Sequence, residues 1–314
     1  MTPALDFNPR TGALTFTASR IRASSLGGVS PGCEVPIPLP RQIPISATIL
    51  TKNSSRLLGS VLAALEWCDE VVVLDTGSTD DTRTIANAFP NVSYFELSGP
   101  FPGFGRAHLR AVELARHDWI LSVDSDEVVS PEAAAEIRAL PLQPGTVYTL
   151  PFKNYFNGVH ITTCGWSPER HERLFNRRTT NFCASDVHER VQTADLAVVR
   201  LRNAVDHYSY QSTGDFLSKM TAYSRLFAEQ NCGRKKSGPF KAVTRSLWAF
   251  FKSYVIERGF LQGAEGITIS AYKSQVVFWK YLLLHEANRQ RASRQADGNP
   301  PANPELTARL RPPT

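Results

Sequence analysis

Trp119-Ile120-Leu121-Ser122-Val123-Asp124-Ser125-Asp126-Glu127 begins as an apolar run and ends in acid. The run reads as a buried strand, set off by the polar His117-Asp118 before it. Asp124 and Asp126 stand two apart, so in extended backbone their side chains point the same way. Ligands of open α/β sheets bind just past the carboxyl ends of the strands. Two hard oxygen ligands at such a place suit a divalent cation shared with a phosphate. An ordinary acidic turn has the same composition. The strand in front of these acids and the units upstream of it favour the metal.

Those upstream units repeat one plan. Ile43–Leu50 is a β-branched strand, followed by the turn Thr51-Lys52-Asn53-Ser54. Arg56–Trp67 carries Leu57, Leu58, Val61, Leu62 and Leu65 at helical spacing. Glu70–Leu74 is almost wholly apolar, as central parallel strands are. It ends in Asp75-Thr76-Gly77-Ser78-Thr79-Asp80-Asp81-Thr82, where acids face the positive end of the next helix. A third strand over Val92–Leu97 and a helix over Arg106–His117 lead into Trp119. Strands and helices alternating through short connections predict a Rossmann-like, doubly wound, mostly parallel α/β sheet.

The chain has 314 residues, 42% of them hydrophobic, a formal net charge of +6 and a pI near 9.1. The balance fits acidic partners such as nucleotide phosphates or anionic lipid headgroups. The positive charge is dispersed and no nucleic-acid module is present, so nucleic acid is not an expected partner. The 5 cysteines are scattered without a CxxC pair, which argues against a disulfide framework and structural zinc. No apolar run approaches the ~20 residues that span a bilayer, and no signal pattern opens the chain. The expected location is cytoplasmic, peripheral at the inner face of the cytoplasmic membrane at most.

Four regions are expected: a poorly ordered extension over 1–42, a catalytic domain over 43–212, a helical C-terminal region over 213–288 and a disordered tail over 289–314. After Asp126 a helix is read over Pro131–Leu140 and a strand over Val147–Phe156. The stretch holding Trp166, Glu169, Arg170, Glu172 and Arg173 reads as loop. Phe240–Val255 and Ile267–His285 read as aromatic-rich helices. Packing against the catalytic domain is the simpler role for them. Peripheral contact with the inner membrane is the functional alternative, because basic residues stand beside Trp248, Phe250, Phe251 and Trp279.

Three strand ends taken together are more specific than any one: Thr51-Lys52-Asn53, Asp75-Thr76-Gly77-Ser78 and Asp124-Ser125-Asp126. On these, and on Ala47–Leu50 and Val72–Leu74, the segment Ile45–Pro131 resembles the family 2 glycosyltransferases, which have the A-type Rossmann-like fold. Phe104-Gly105, Arg173-Leu174-Phe175, Val187-His188-Glu189 and Arg258-Gly259-Phe260-Leu261-Gln262-Gly263 look like motifs of the subgroup that assembles lipopolysaccharide core. One departure is His108-Leu109, where the subgroup usually has Lys-Asn near the nucleotide.

The resemblance implies an inverting transfer from a nucleoside diphosphate sugar, UDP-linked, to a hydroxyl of a glycan or glycolipid acceptor. Asp126, with Asp124, would hold Mg²⁺ or Mn²⁺ against the departing diphosphate. Thr51, Asn53, Asp75, Ser78, His108, Asp124 and Arg173 would contact the donor. Glu189 would act as the base on the acceptor hydroxyl, with Asp186 its nearest rival, then Glu169 and Glu172. The alternatives are a nucleotidyltransferase, whose usual glycine-rich first loop is absent here, and a non-catalytic sugar-nucleotide-binding protein.

Overall fold

The computed structural model describes residues 43–183, 190–210 and 212–296. Its strands are β1 (Ile45–Thr51), β2 (Glu70–Asp75), β3 (Val92–Glu96), β4 (Trp119–Asp124), β5 (Glu127–Val129), β6 (Thr146–Phe156), β7 (Val159–His160), β8 (Glu169–Asn176), β9 (Ala197–Arg200) and β10 (Val205–Tyr210). They form one sheet in the order β3-β2-β1-β4-β8-β6-β10-β5, with β7 and β9 also paired to β6. The first four strands of that order are mutually parallel. β8 then runs antiparallel to both β4 and β6, so the sheet is mixed beyond β4.

The doubly wound character follows from side-chain alternation. Ile45, Ala47, Ile49, Val71, Val73, Leu121 and Val123 pack on one face, against Leu58 and Leu62 of α1 (Leu58–Ala63) and Ala133 and Ile137 of α4 (Pro131–Arg138). Val72 and Ile120 point the other way, against Val112 of α3 (Phe104–Leu114) and Phe175. α2 (Thr82–Ala86) lies between β2 and β3 in the chain. Successive residues of a strand face opposite sides, so strands apolar at every position need helices on both.

The register aligns the strand ends. Thr51 pairs with Asp75 and Leu50 with Asp124, so the turns after β1, β2 and β4 leave from one edge. α1 is two residues shorter at its start and four at its end than the hydrophobic spacing predicts, α3 starts two residues earlier and ends three earlier, and α4 ends two residues early. The larger difference is β8. Glu169–Asn176, expected as loop, is a central strand, and its first five residues are half-exposed or exposed. Polar side chains at that end hid a strand whose remaining Leu174, Phe175 and Asn176 are buried.

α5 (Thr213–Asn231) starts in a reciprocal cap: Ser212 Oγ accepts from the Asp215 amide while Asp215 Oδ2 accepts from the Ser212 amide. α6 (Pro239–Phe251) continues through a π-helical turn, Lys252–Ile256, and a 3₁₀ turn, Gly259–Gln262, into α7 (Gly263–Ala296). The last helix runs past Asn288, where the tail was expected to begin. The expectations for 1–42 and for the tail beyond 296 lie outside the described residues.

The Arg258–Gly263 motif has a packing reason. A Cβ on Gly259 would lie 2.9 Å from both Cys164 Sγ and the Ser253 carbonyl, so only glycine fits. Gln262 Nε2 donates to the His160 carbonyl, 3.0 Å away, which ties the 3₁₀ turn to the end of β7.

An aromatic cluster joins these helices to the sheet. Phe156 and Tyr210 from strand ends meet Phe216 of α5 and Tyr272 of α7, with the Phe216 centroid 4.6 Å from that of Phe156 and 4.1 Å from that of Tyr272. Trp166 stacks on Tyr210 at 5.5 Å, as part of this packing. Phe216 is 3% exposed. Phe216→Ala is therefore expected to cost about 3–5 kcal/mol, read as a lowered urea midpoint by circular dichroism. A change under about 1 kcal/mol would mean that the cluster is not a core.

Candidate active site

A cleft of ≈ 300 Å³ opens at the aligned strand edge, lined among others by Lys52, Asn53, Ser125, Asp126, Tyr208 and Lys219. The turn after β1 supplies one wall. Asn53 adopts φ 52°, a left-handed conformation that asparagine tolerates better than most residues. Its Oδ1 accepts from the Thr79 amide at 2.8 Å and its own amide donates to Ser78 Oγ at 2.8 Å. The β1 and β2 turns are thereby locked together.

Asp75 is buried at the end of β2. One carboxylate oxygen accepts from the Gly77 and Ser78 amides and from Ser78 Oγ; the other accepts from Tyr94 Oη. Both oxygens therefore serve the turn and β3. Thr51 beside it is also buried, and its carbonyl accepts from the Thr76 amide at 2.9 Å. Ser78 is half-buried and shared between Asp75 and Asn53.

At the end of β4 the charges converge. Arg173 Nη2, from β8, donates to Asp124 Oδ2 at 2.9 Å and to Glu127 Oε1. Glu127 Oε2 accepts from the Asp124 amide at 3.0 Å. The Glu127 side chain is 2% exposed and Asp124 41%. Burial lifts the Glu127 carboxyl well above the usual range, with Arg173 opposing it. Desolvation acts most strongly on Asp124 and raises it, but Arg173, together with His108, Glu127 and His207, holds that carboxyl below the usual range. The guanidinium carbon lies 5.3 Å from the Phe152 ring centroid. His108 of α3 is 5% exposed and stacks on Phe182 at 4.4 Å. Burial pushes its pKa down to about 4, so it is neutral at pH 7.

Asp126 faces a residue that sequence reasoning missed. Its Oδ1 lies 3.7 Å from His207 Nε2. β10 brings His207 there by pairing with Glu127 of β5 on one side and Asn154 of β6 on the other. His207 Nδ1 is 2.7 Å from Asn154 Oδ1. The Asn154 amide nitrogen sits between two acceptors, the Trp166 carbonyl at 2.9 Å and Glu169 Oε2 at 2.5 Å. That fixes which end of the amide faces the ring. Nδ1 must then carry the proton, which leaves Nε2 as an acceptor, with Ser209 Oγ at 2.6 Å and Asp126 Oδ1 at 3.7 Å. Burial lowers the His207 pKa, in keeping with a neutral ring. No spacing rule links two residues so far apart in the chain.

Among the carboxylates considered as base, Glu169 is described: it accepts from Asn154 and pairs with His171 at 2.9 Å, which hold its carboxyl below the usual range. Glu172 is half-buried on β8. Asp186 and Glu189 lie outside the described residues.

A cleft thus opens at the carboxyl edge of the parallel strands, with Ser125 and Asp126 in its wall and the His207 imidazole beside Asp126. Residues 46–197 match the family model for glycosyl transferase family 2, and the chain carries a glycosyltransferase domain of that family. An uncharacterized glycosyltransferase of Rickettsia conorii is 29% identical over 258 residues, 78% of this chain and 90% of its own length. The lipopolysaccharide core biosynthesis glycosyltransferase LpsC of Rhizobium meliloti is 30% identical over 88 residues, 27% of this chain and 33% of LpsC. Among solved structures, S. aureus TarS in complex with UDP overlays with a TM-score of 0.36 at 17% identity, covering 82% of this chain and 92% of that one.

Arg173 offsets two carboxylates, one of them buried. Arg173→Met is therefore expected to destabilise the fold by about 3–5 kcal/mol, because Glu127 loses its partner. Adding Glu127→Gln should return part of that loss, a coupling read from a double-mutant cycle of urea midpoints. Strict additivity would separate the two residues energetically.

Proposed function

We propose that the chain transfers a sugar, with inversion, from a nucleoside diphosphate sugar carrying UDP to a hydroxyl of a glycan or glycolipid acceptor such as lipopolysaccharide core. The observation that carries this reading is Asp126 on the wall of a cleft whose other wall is the β1 turn, with His207 Nε2 3.7 Å from its carboxylate.

The residues fit a divalent cation. A carboxylate and an unprotonated imidazole nitrogen form a mixed donor pair, which suits Mn²⁺ and is tolerated by Mg²⁺. Among the described residues no three His, Cys, Asp or Glu side chains form a complete cage. Two protein ligands are enough where diphosphate oxygens and water complete the shell. Such an ion, when bound, supplies the positive charge that offsets the leaving diphosphate.

The rest of the work falls to the chain. Asp126 and His207 hold the cation, and Asn154 keeps the imidazole in the tautomer that can ligate. Arg173 fixes the Asp124 carboxylate beside them. Lys52 and Lys219 add positive charge to the cleft that receives the phosphates. Thr51, Asn53 and Ser78 shape the nucleoside side, and Asp75 holds their turn in place. His108, neutral and buried behind Asp124, stands where a cationic residue would be expected. Glu189, with Asp186 as its nearest rival, takes the proton of the acceptor hydroxyl in this reading, and Glu169 is the alternative within the described residues.

Thermal unfolding in the presence of UDP, GDP or CDP, each with and without Mn²⁺, tests the site. UDP and Mn²⁺ together should raise the midpoint, and more than either alone. Asp126→Asn and His207→Ala should abolish that synergy; an unchanged shift in both variants would overturn the metal site.

Turnover tests the base. Glu189→Gln should lower transfer by about 10²–10⁴-fold while the UDP–Mn²⁺ shift persists. Full activity in Glu189→Gln with loss in Glu169→Gln would move the role to Glu169.

A further inference from the structure

α6 is built inside out. A surface helix ordinarily turns its large apolar residues to the core and its small or polar ones to water. Here the residues buried against α7 are small: Ala242, Ser246 and, in the π-helical turn, Ser253. Ser274 Oγ donates to the Ser246 carbonyl at 2.8 Å and Ser270 Oγ to Ser253 Oγ at 3.0 Å, so the contact is close and partly polar. The large side chains face outward. Phe240 is 83% exposed, Leu247 65%, Trp248 55% and Phe251 47%. These fall at helical spacings of three, four and seven, which makes them one stripe. Ile256, Phe260 and Leu261 extend the exposed apolar surface beyond the helix.

Charge says what covers this face. From Arg234 to Ile256 the chain has six basic residues and no acidic one. Lys241, Arg245 and Lys252 follow one another at four and seven residues, along one flank of the apolar stripe. Lys241 and Lys252 also have local contacts, to the Lys236 carbonyl at 2.9 Å and to Glu257 at 3.5 Å. Among the described residues no helix is long and apolar enough to cross a membrane. An exposed apolar stripe with a cationic flank is the pattern of a helix lying in the headgroup region of an anionic bilayer.

We propose that α6 and the turns after it form a membrane-docking face, whose occupant is the surface of a bilayer rich in anionic phospholipid. Phe240, Leu247, Trp248 and Phe251 enter the acyl boundary, while Lys241, Arg245 and Lys252 contact lipid phosphates. This face is separate from the donor cleft, and its assignment stands whether or not the transfer reaction is as stated above.

The test is co-flotation of the full chain with vesicles of phosphatidylethanolamine and phosphatidylglycerol, against vesicles of phosphatidylcholine alone. Binding is expected to the first set only, and to weaken as salt rises. Leu247→Glu with Phe251→Glu should abolish it while leaving the UDP–Mn²⁺ thermal shift as in the parent. Lys241→Gln, Arg245→Gln and Lys252→Gln together should weaken partitioning by about 100-fold. Trp248 emission should shift to the blue on binding, and that part of the signal should vanish in Trp248→Phe. A chain that stays unbound at low salt overturns the proposal, as does a Leu247→Glu, Phe251→Glu variant that floats like the parent. A concentration-dependent dimer dispersed by the same double substitution would assign the face to a second copy of the chain instead.

Discussion

The guanidinium of Arg173 is the point on which the active edge depends. It reaches from β8 to a carboxylate on either side of the β4–β5 turn, and one of those, Glu127, is almost sealed from water. A buried acid without such a partner is costly enough to reshape its surroundings. β8 lies antiparallel to β4 with Leu174 opposite Leu121, and from there the Arg173 side chain reaches Asp124. The sheet changes from parallel to mixed at this position. The Arg173 contacts also brace the turn that carries Asp126 toward β10.

Much of the first half of the fold was legible in the chain. Val71–Leu74 is apolar at every position and Trp119–Val123 at all but Ser122, a pattern that strands flanked by helices on both faces produce. Thr51, Asp75 and Asp124 do share one edge. The second half was less legible. Glu169–Asn176 opens with Glu-Arg-His-Glu-Arg, and β10 reads Val-Asp-His-Tyr-Ser-Tyr. Both strands are rich in polar residues, and that polarity resembles a loop when no partner strand is known. His207 was invisible for a related reason. Its meaning comes from Asp126 and Asn154, which are neighbours only after β5, β6 and β10 have paired. Asp75 shows the opposite case. Its strand-end position suggested a ligand contact, and its oxygens turn out to be taken up by the Gly77-Ser78 turn and by Tyr94.

The Asn154 amide connects the fold to the proposed chemistry. Two acceptors, Glu169 Oε2 and the Trp166 carbonyl, leave it only one way round. The imidazole proton is therefore assigned by groups that never reach the cleft. A ring free to exchange its proton between nitrogens would spend part of its time presenting N–H to an incoming cation, which weakens any site it belongs to.

The aromatic cluster around Phe216 bears on how such a chain changes over generations. Phe156 and Tyr210 are the last residues of two strands in the sheet, and they are covered by side chains from α5 and α7. Neither half has a finished surface at this seam. The helical region is consequently not a detachable appendage for shuffling to graft onto another catalytic core. Substitutions on one side of the seam have to be matched on the other, so the two parts are constrained to evolve together.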